Sequence, residues 1–225
     1  MQTAQDRLLL ALAEQLKLPL VQIAHQSGLI RSADATEIQH TAQSALRVID
    51  TFVLAITRDQ TTLRLEPLSL SAVLQDTAQL LYSHAKRYDC ELIVDVRGRN
   101  TPVMADAARV RAAFLALGHT FIESQQGSRN SQLILGTHKT KNGQVAGVYS
   151  PSSLVTAKSY RGAKNLFGTS TQPFAALGSL GGSGIFIADT LLQSFQTELI
   201  TSSHRRVRGL AAVFLPSSQL SLVSA

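Results

Sequence analysis

The stretch from Ala176 to Thr190, ALGSLGGSGIFIADT, places four glycines directly before an apolar segment. Glycine allows the backbone to come close to a bound group, and a helix beginning at Gly184 would offer free amide groups and the positive end of its dipole to an anion. The alternative is an ordinary flexible loop, because glycine clusters are common in loops. The candidate phosphate-binding residues are Gly178, Gly181, Gly182, Ser183 and Gly184.

Composition sets broad limits on the class of protein. A chain of 225 residues can bury one sizeable core, or one core with a helical appendage. No apolar run approaches the roughly 20 residues that cross a bilayer. The single cysteine, Cys90, cannot form an internal disulfide and fits a reducing compartment. We therefore expect a cytoplasmic protein without a membrane segment.

The net charge of +6 raises the question of nucleic-acid binding. The basic residues are scattered, and a basic patch alone supplies only non-specific affinity. The one tight cluster consists of His204, Arg205, Arg206 and Arg208, between two apolar segments. We interpret it as a solvated hairpin tip and do not expect a nucleic-acid partner.

The first 60 residues predict two long helices. From Gln2 to His25, apolar residues recur at three- and four-residue spacing, which is typical of an amphipathic helix, and Pro19 should kink it. Asp34, followed by Glu37, has capping-box spacing, so a second helix is expected from there to about Thr57. The apolar positions of the two helices are Leu8, Leu9, Leu12, Leu16, Leu20, Ile23, Ile38, Ala42, Ala45, Leu46, Ile49, Val53 and Ile56.

These helices form an antiparallel hairpin, and one hairpin cannot cover its own apolar stripe. Two copies would complete a four-helix bundle, which predicts a homodimer through residues 1–60. The alternative is that the stripe packs on the rest of the same chain.

Residues 61–225 alternate between helical and strand patterns. The Asn-Gly pair at Asn142 and Gly143 predicts a β-hairpin, and the Ser-, Thr- and Gly-rich segment from Ser150 to Gly182 predicts a flap. The fold class is α+β, a sandwich of one helical layer on a mostly antiparallel sheet. Helices are expected at Ser71–Lys86, Asp106–Glu123 and Gly184–Phe195, and strands at Cys90–Val96, Ser131–Thr137, Gln144–Ser150, Glu198–Ser202 and Leu210–Leu215.

Four segments together resemble the dimerisation and ATP-binding core of bacterial sensor histidine kinases, whose catalytic domain has the Bergerat (GHKL) fold. The resemblance covers nearly the whole chain. It implies a dimerisation hairpin over residues 1–60 and a GHKL ATPase-like domain over residues 61–225. The segments are LKLPL at Leu16–Leu20, LEPLSLSAVL at Leu65–Leu74, ADAARVRAAFLAL at Ala105–Leu117 and GSLGGSGIFIADTLLQSF at Gly178–Phe195.

The resemblance also identifies where the family's phosphoacceptor should lie. The family places a histidine five residues before the proline of the first helix, and this chain has Glu14 there. A carboxylate cannot form the phosphoramidate. His25 and His40 lack the expected sequence context, so a phosphoacceptor role for either stays open.

The family's nucleotide-binding residues are also replaced. Its two asparagines, one of which binds Mg²⁺, correspond to Ala116 and Thr120, and its following basic residue corresponds to Glu123. The adenine-binding aspartate would fall in the segment VYSPSSL, Val148–Leu154, which has no carboxylate, and Ser150 there offers a weak hydrogen bond to a base. Binding of ATP or ADP with Mg²⁺ should therefore be weakened, and no metal site is expected.

Three of the four chemical elements are thus absent, which predicts a catalytically silent member of two-component signalling. Such a protein would act as a dimeric scaffold, or as a phosphotransfer-type partner, for the receiver domain of a response regulator or for another kinase. One alternative is a divergent active ATP-binding kinase or phosphotransferase, with Lys158, Arg161 and Lys164 near the phosphates. Another is a regulator that forms mixed dimers with a kinase through its helical hairpin.

Overall fold

The computed structural model describes residues 4–56, 63–98, 101–125, 128, 131–151, 181–194 and 196–216. The chain divides into two compact units, Met1–Thr62 and Leu63–Ala225. Each unit has its own elements, and each is described by itself.

The first unit is a pair of helices, α1 at Ala4–Gly28 and α2 at Ala33–Ile56, packed against one another. Helix α1 continues through Pro19 and ends at Gly28, three residues beyond the predicted end. The predicted cap at Asp34 was wrong. The Oγ of Ser32 accepts a hydrogen bond from the backbone N–H of Ala35 at 3.0 Å, so Ser32 caps the helix and Asp34 lies in its first turn.

The two helices meet through small side chains and leave larger ones exposed. Ala13 and Ala42 are buried, whereas Leu18 retains 64% of its accessible surface and Leu16 retains 55%. Alanine at the contact allows the helices to approach closely. Leu16, Ile23 and Ile38 of the apolar stripe remain exposed in the single chain.

The described residues of the second unit form three helices and two sheets. A five-stranded sheet has the order β2-β4-β5-β7-β6, in which β2 and β4 are parallel and the other pairs are antiparallel, and β1 pairs with β3. The predicted α+β class, with a mostly antiparallel sheet, is confirmed. The elements are α3 at Leu70–Arg87, α4 at Ala107–Ser124, α5 at Gly181–Gln193, β1 at Glu66–Leu68, β2 at Glu91–Val96, β3 at Val103–Ala105, β4 at Gln132–Thr140, β5 at Gly143–Tyr149, β6 at Leu199–His204 and β7 at Val207–Phe214.

Local chemistry explains several of these boundaries. Asp106 caps α4, since its carboxylate accepts a hydrogen bond from the backbone N–H of Arg109 at 3.1 Å. The predicted hairpin joins β4 to β5, and its turn ends at Gly143. The φ of Gly143 is 139°, a value that glycine adopts without strain. The small β1–β3 sheet was not predicted.

The five-stranded sheet has two different faces. Helices α3 and α4 pack on strands β2, β4 and β5, and alternation along the strands places Leu133 and Leu135 on that side. The opposite face carries a smaller core around Ile134 and Tyr149. Polar side chains are interspersed on this second face, and they form one of the clusters described next.

Candidate functional site

Helices α4 and α5 meet where the family resemblance places the nucleotide. A Cβ added to Gly184 would lie against Oγ1 of Thr120 and 2.7 Å from the carbonyl oxygen of Ala116. Only glycine fits this close approach without a shift of the backbone. Two candidate residues, Thr120 and Gly184, are therefore brought into contact.

The glycine cluster differs from the predicted loop. Helix α5 begins at Gly181, three residues before its expected start at Gly184. Gly181, Gly182 and Ser183 therefore form its first turn, where backbone N–H groups lack intrahelical partners. Gly178 and the flap cations Lys158, Arg161 and Lys164 lie outside the described residues.

Ser150 lies at the end of β5 and is buried. Its backbone N–H donates a hydrogen bond to the carbonyl oxygen of Arg208 at 3.1 Å, which extends the pairing of β5 with β7. The residue is thus held by the sheet. Apart from Ser150, Pro151 and the first turn of α5, the predicted flap lies outside the described residues.

The residues at this contact do not fit a magnesium–nucleotide complex. Magnesium requires oxygen ligands in near-octahedral geometry, and the side chain of Ala116 offers none. The hydroxyl of Thr120 faces the backbone of α5 at Gly184. Glu123, one turn further along α4, stands where the resemblance places a basic residue, and its carboxylate lies 3.3 Å from Nε2 of His84 on α3.

The candidate phosphoacceptor region lies in the first unit. Glu14 is in the middle of α1 by its backbone, and its side chain lies outside the described part of the chain. His25 and His40 are exposed on α1 and α2. Both imidazoles are therefore accessible to solvent.

One cluster that the sequence did not predict lies between α3 and α4. It consists of His84, His119 and Glu123, each with a ligand atom within 4.8 Å of the others. Nε2 of His84 is 3.3 Å from Oε1 of Glu123, and the rings of His84 and His119 meet edge to face at 4.3 Å. The four-residue spacing of His119 and Glu123 is a detectable helical signal, whereas His84 comes from another helix.

A second cluster lies on the face of the sheet opposite to α3 and α4. Nε2 of His204 is 2.7 Å from Oδ2 of Asp95, and Nε of Arg205 is 2.7 Å from the same oxygen. His204 also stacks on Tyr149, with ring centroids 5.2 Å apart. The predicted solvated tip was therefore wrong for His204, which is buried, although the hairpin itself is present.

The charges of this sheet cluster shift its pKa values. Burial opposes ionisation of Asp95, but the hydrogen bond from His204 and the charge of Arg205 outweigh it and lower the pKa of that carboxyl. Burial, with the neighbouring His204 and Arg97, lowers the pKa of His138. Burial also raises the pKa of Tyr149 to about 12. At neutral pH, Asp95 is thus ionised and Tyr149 is neutral.

An open cavity of about 610 Å³ lies beside the end of α3 and the starts of β2 and β4. Cys90 is in its lining, and burial raises the pKa of that thiol, so it is a poor nucleophile. Among the residues that the structure describes, the lining contains neither Thr120 nor Gly184. The cavity is therefore separate from the α4–α5 contact.

None of the helices in the described ranges is both long and apolar enough to span a bilayer.

Comparisons with known proteins give a likeness of fold without a likeness of sequence. No family model matches the chain, and no curated protein matches it in sequence. ShkA, whose full-length structure is in complex with AMPPNP, matches with a TM-score of 0.61 and 16% identity, over 94% of this chain and 46% of that chain. The histidine kinase AdeS of Acinetobacter baumannii matches with a TM-score of 0.54 and 12% identity, over 91% of this chain and 94% of AdeS.

A third structure is of a catalytic domain alone. The nucleotide-free catalytic domain of the histidine kinase ThkA matches with a TM-score of 0.52 and 11% identity, over 68% of this chain and 97% of that domain. The chain spans about half the length of ShkA and nearly all of the other two. At these identities the comparisons show the fold alone, and they confirm the predicted resemblance: the chain has the fold of a histidine-kinase core.

Proposed function

We propose that this chain is a degenerate histidine-kinase-like protein of cytoplasmic two-component signalling that lacks autokinase activity. It serves as a dimeric scaffold or phosphotransfer-type partner for a response-regulator receiver domain or another kinase. The observation that carries the proposal is the contact between α4 and α5. There, Ala116 and Thr120 stand where the family has its two asparagines, one of which binds Mg²⁺, and Gly184 packs against both.

The loss of several chemical elements at once supports the absence of phosphoryl transfer. Transfer from ATP depends on positioning and on a metal ion that neutralises the developing charge. Ala116 provides no metal ligand, and Glu123 stands where the family has a basic residue. Glu14 replaces the histidine that would accept the phosphoryl group. A single lost element could be compensated, but the loss of both ligand and acceptor removes the reaction.

The exposed apolar stripe of the first unit supports a dimeric scaffold. Leu16, Ile23 and Ile38 each expose two fifths or more of their surface in the single chain. Large exposed apolar patches usually mark protein interfaces. A second copy of the hairpin has the same stripe, so that pairing two hairpins would bury both as a four-helix bundle.

Nucleotide binding tests the catalytic half of the proposal. Calorimetry with ATP, ADP and GTP, with and without Mg²⁺, should give no heat up to high micromolar nucleotide. Incubation with labelled ATP should leave the chain unlabelled. Magnesium-dependent micromolar binding that is lost in Gly182→Val would instead support a divergent active enzyme. Label on the chain would show that it phosphorylates itself and would refute the absence of autokinase activity.

Sedimentation of the full chain tests the scaffold half. We expect a particle of twice 24.2 kDa. Leu16→Glu should convert it to a monomer because a charge would enter the apolar interface. Leu80→Glu is the matched control, since Leu80 is similarly exposed but lies on α3 of the other unit. A monomeric parent chain would contradict the dimer.

A further inference from the structure

We propose that His84, His119 and Glu123 form a binding site for one divalent transition-metal ion, with Zn²⁺ as its occupant. The three side chains converge from two helices, and their ligand atoms all lie within 4.8 Å of one another. This inference is independent of the proposed signalling function. It concerns the interface between α3 and α4, and it involves no bound nucleotide.

A close approach of the two helices creates the site. A Cβ added to Gly118 would lie against Cδ1 of Leu81 and 3.1 Å from its Cδ2, so glycine in α4 lets α3 come near. His84 follows Leu81 by about one helical turn, and His119 directly follows Gly118. The glycine contact therefore brings the two imidazoles to the same level of the interface.

The spacing along α4 supplies the third ligand. His119 and Glu123 are four residues apart, and side chains at that spacing share one face of a helix. One ligand pair is thus set by local helix geometry, and His84 completes the set from across the interface. A site held between two packed helices needs little ordering when the metal binds.

The separations are close to those of a zinc site. Zinc binds histidine nitrogen and carboxylate oxygen at about 2.0–2.2 Å in a tetrahedron, so neighbouring ligand atoms lie about 3.3 Å apart. Nε2 of His84 and Oε1 of Glu123 are already 3.3 Å apart. The remaining ligand atoms need to close by at most about 1.5 Å, which small side-chain rotations provide. Water would occupy the fourth position.

A buried nitrogen of this cluster also lacks a hydrogen bond. The side chain of His84 is 7% exposed, and among the described residues its Nε2 makes no hydrogen bond, although Glu123 is near. Buried polar atoms in native proteins nearly always have a partner, and each exception needs a reason. A metal ion bound to Nε2 and to the carboxylate would satisfy both groups.

The ligand set selects the kind of metal. Two imidazoles and one carboxylate suit zinc and its transition-metal neighbours, whereas magnesium prefers oxygen ligands. The site therefore differs in chemistry from the magnesium–phosphate sites of kinases. It would also neutralise Glu123 and tie α3 to α4.

The test uses the full chain without a histidine tag, stripped of metal by a chelator. Calorimetry with Zn²⁺ should show one ion per chain, Co²⁺ should give the visible absorption of a four-coordinate site, and Zn²⁺ should raise the thermal midpoint. His119→Ala removes one ligand and leaves the His84–Glu123 pair in place. Glu123→Gln keeps the shape of the third ligand without its charge.

Each of these two variants should weaken Zn²⁺ binding at least tenfold and abolish the thermal shift, because loss of even an outer-shell partner costs about 10- to 100-fold. His40→Ala, an exposed histidine on α2, is the control and should bind as the parent does. The proposal is overturned if the parent chain binds no Zn²⁺, or if both variants bind it as tightly as the parent. Circular dichroism of the metal-free variants verifies that they are folded.

Discussion

The two histidine clusters of the second unit use the same residue types to different ends. On the sheet, the carboxylate of Asp95 is contacted by His204 at 2.7 Å, by Arg205 at 2.7 Å and by Arg97 at 3.4 Å. Between the helices, the described charged partner of Glu123 is His84, at 3.3 Å. A carboxylate surrounded by cations has no affinity left for a metal ion. The competing partners of the carboxylate therefore decide whether a His–carboxylate group is a structural contact or a ligand site.

The largest expected effect comes from separating α3 from α4. Gly118→Val should lower the free energy of unfolding by about 3 kcal/mol, because a branched side chain cannot fit against the fully buried Leu81. Urea denaturation measures the change. Leu81→Ala in the same chain should recover part of the loss, since the two residues are in contact. Strict additivity of the two substitutions would contradict the contact as the origin of the effect.

Removal of the charge on Asp95 should have the next largest effect. Asp95→Asn is expected to cost about 2 kcal/mol at neutral pH, mainly through the buried contact with His204, since the arginines are half exposed and screened. The pKa of Asp95 is lowered in the folded state, so its ionisation stabilises the fold above the ordinary aspartate pKa of about 4 and ceases to do so as the pH falls through the folded value.

A pH series tests the direction of this pH dependence. The difference in unfolding free energy between the parent and Asp95→Asn should be full above about pH 4 and should close in more acidic solution. A difference that grew with acidity would mean that Asp95 is not held ionised by its neighbours.

A smaller loss of stability is expected from a substitution beneath the imidazole of His204. A Cβ on Gly136 would be 3.1 Å from three atoms of that ring, so Gly136→Ala should cost about 1 kcal/mol as the ring shifts by a few tenths of an ångström. Denaturation of Gly136→Ala alone and together with His204→Ala measures how much of the cost is shared. Independent effects of the two substitutions would place the strain elsewhere.

The smallest effect is expected in the helical cluster without metal. Glu123→Gln in the presence of a chelator should change the unfolding free energy by less than about 0.5 kcal/mol, because His84 and Glu123 form no hydrogen bond. Thermal denaturation of the chelated proteins measures it. A loss as large as that in Asp95→Asn would show two structural clusters instead of one structural contact and one open site.

The sequence predicted the elements better than the contacts between them. The apolar periodicity of residues 71–86 and the Asn142–Gly143 pair are local signals, and both gave elements that the structure contains. The β1–β3 pair was missed because each strand has only three residues, and their pairing joins Glu66 to Ala105 across a long segment. At α2, Ser32 and Asp34 both have side chains that can cap a helix, and the backbone places Ser32 at the cap position.

In the candidate site, too, local features were easier to predict than contacts between distant residues. The approach of Gly184 to Thr120 follows a glycine motif that is visible in the sequence. His84 and Glu123 meet only because α3 and α4 pack, and Asp95 meets His204 across 109 residues of chain. Periodicity carries no information on such long-range contacts, so both histidine clusters escaped prediction.

The contact between Asp95 and His204 also joins the two edge strands of the sheet, β2 and β6. Closing so long a stretch of chain carries an entropic cost that local hairpins do not have, and folds rich in distant contacts form slowly. We therefore expect the β4–β5 and β6–β7 hairpins to form early and this edge-to-edge contact to form late. A late contact acts mainly on the rate of unfolding, so His204 and Asp95 should determine how long the sheet survives rather than how quickly it assembles.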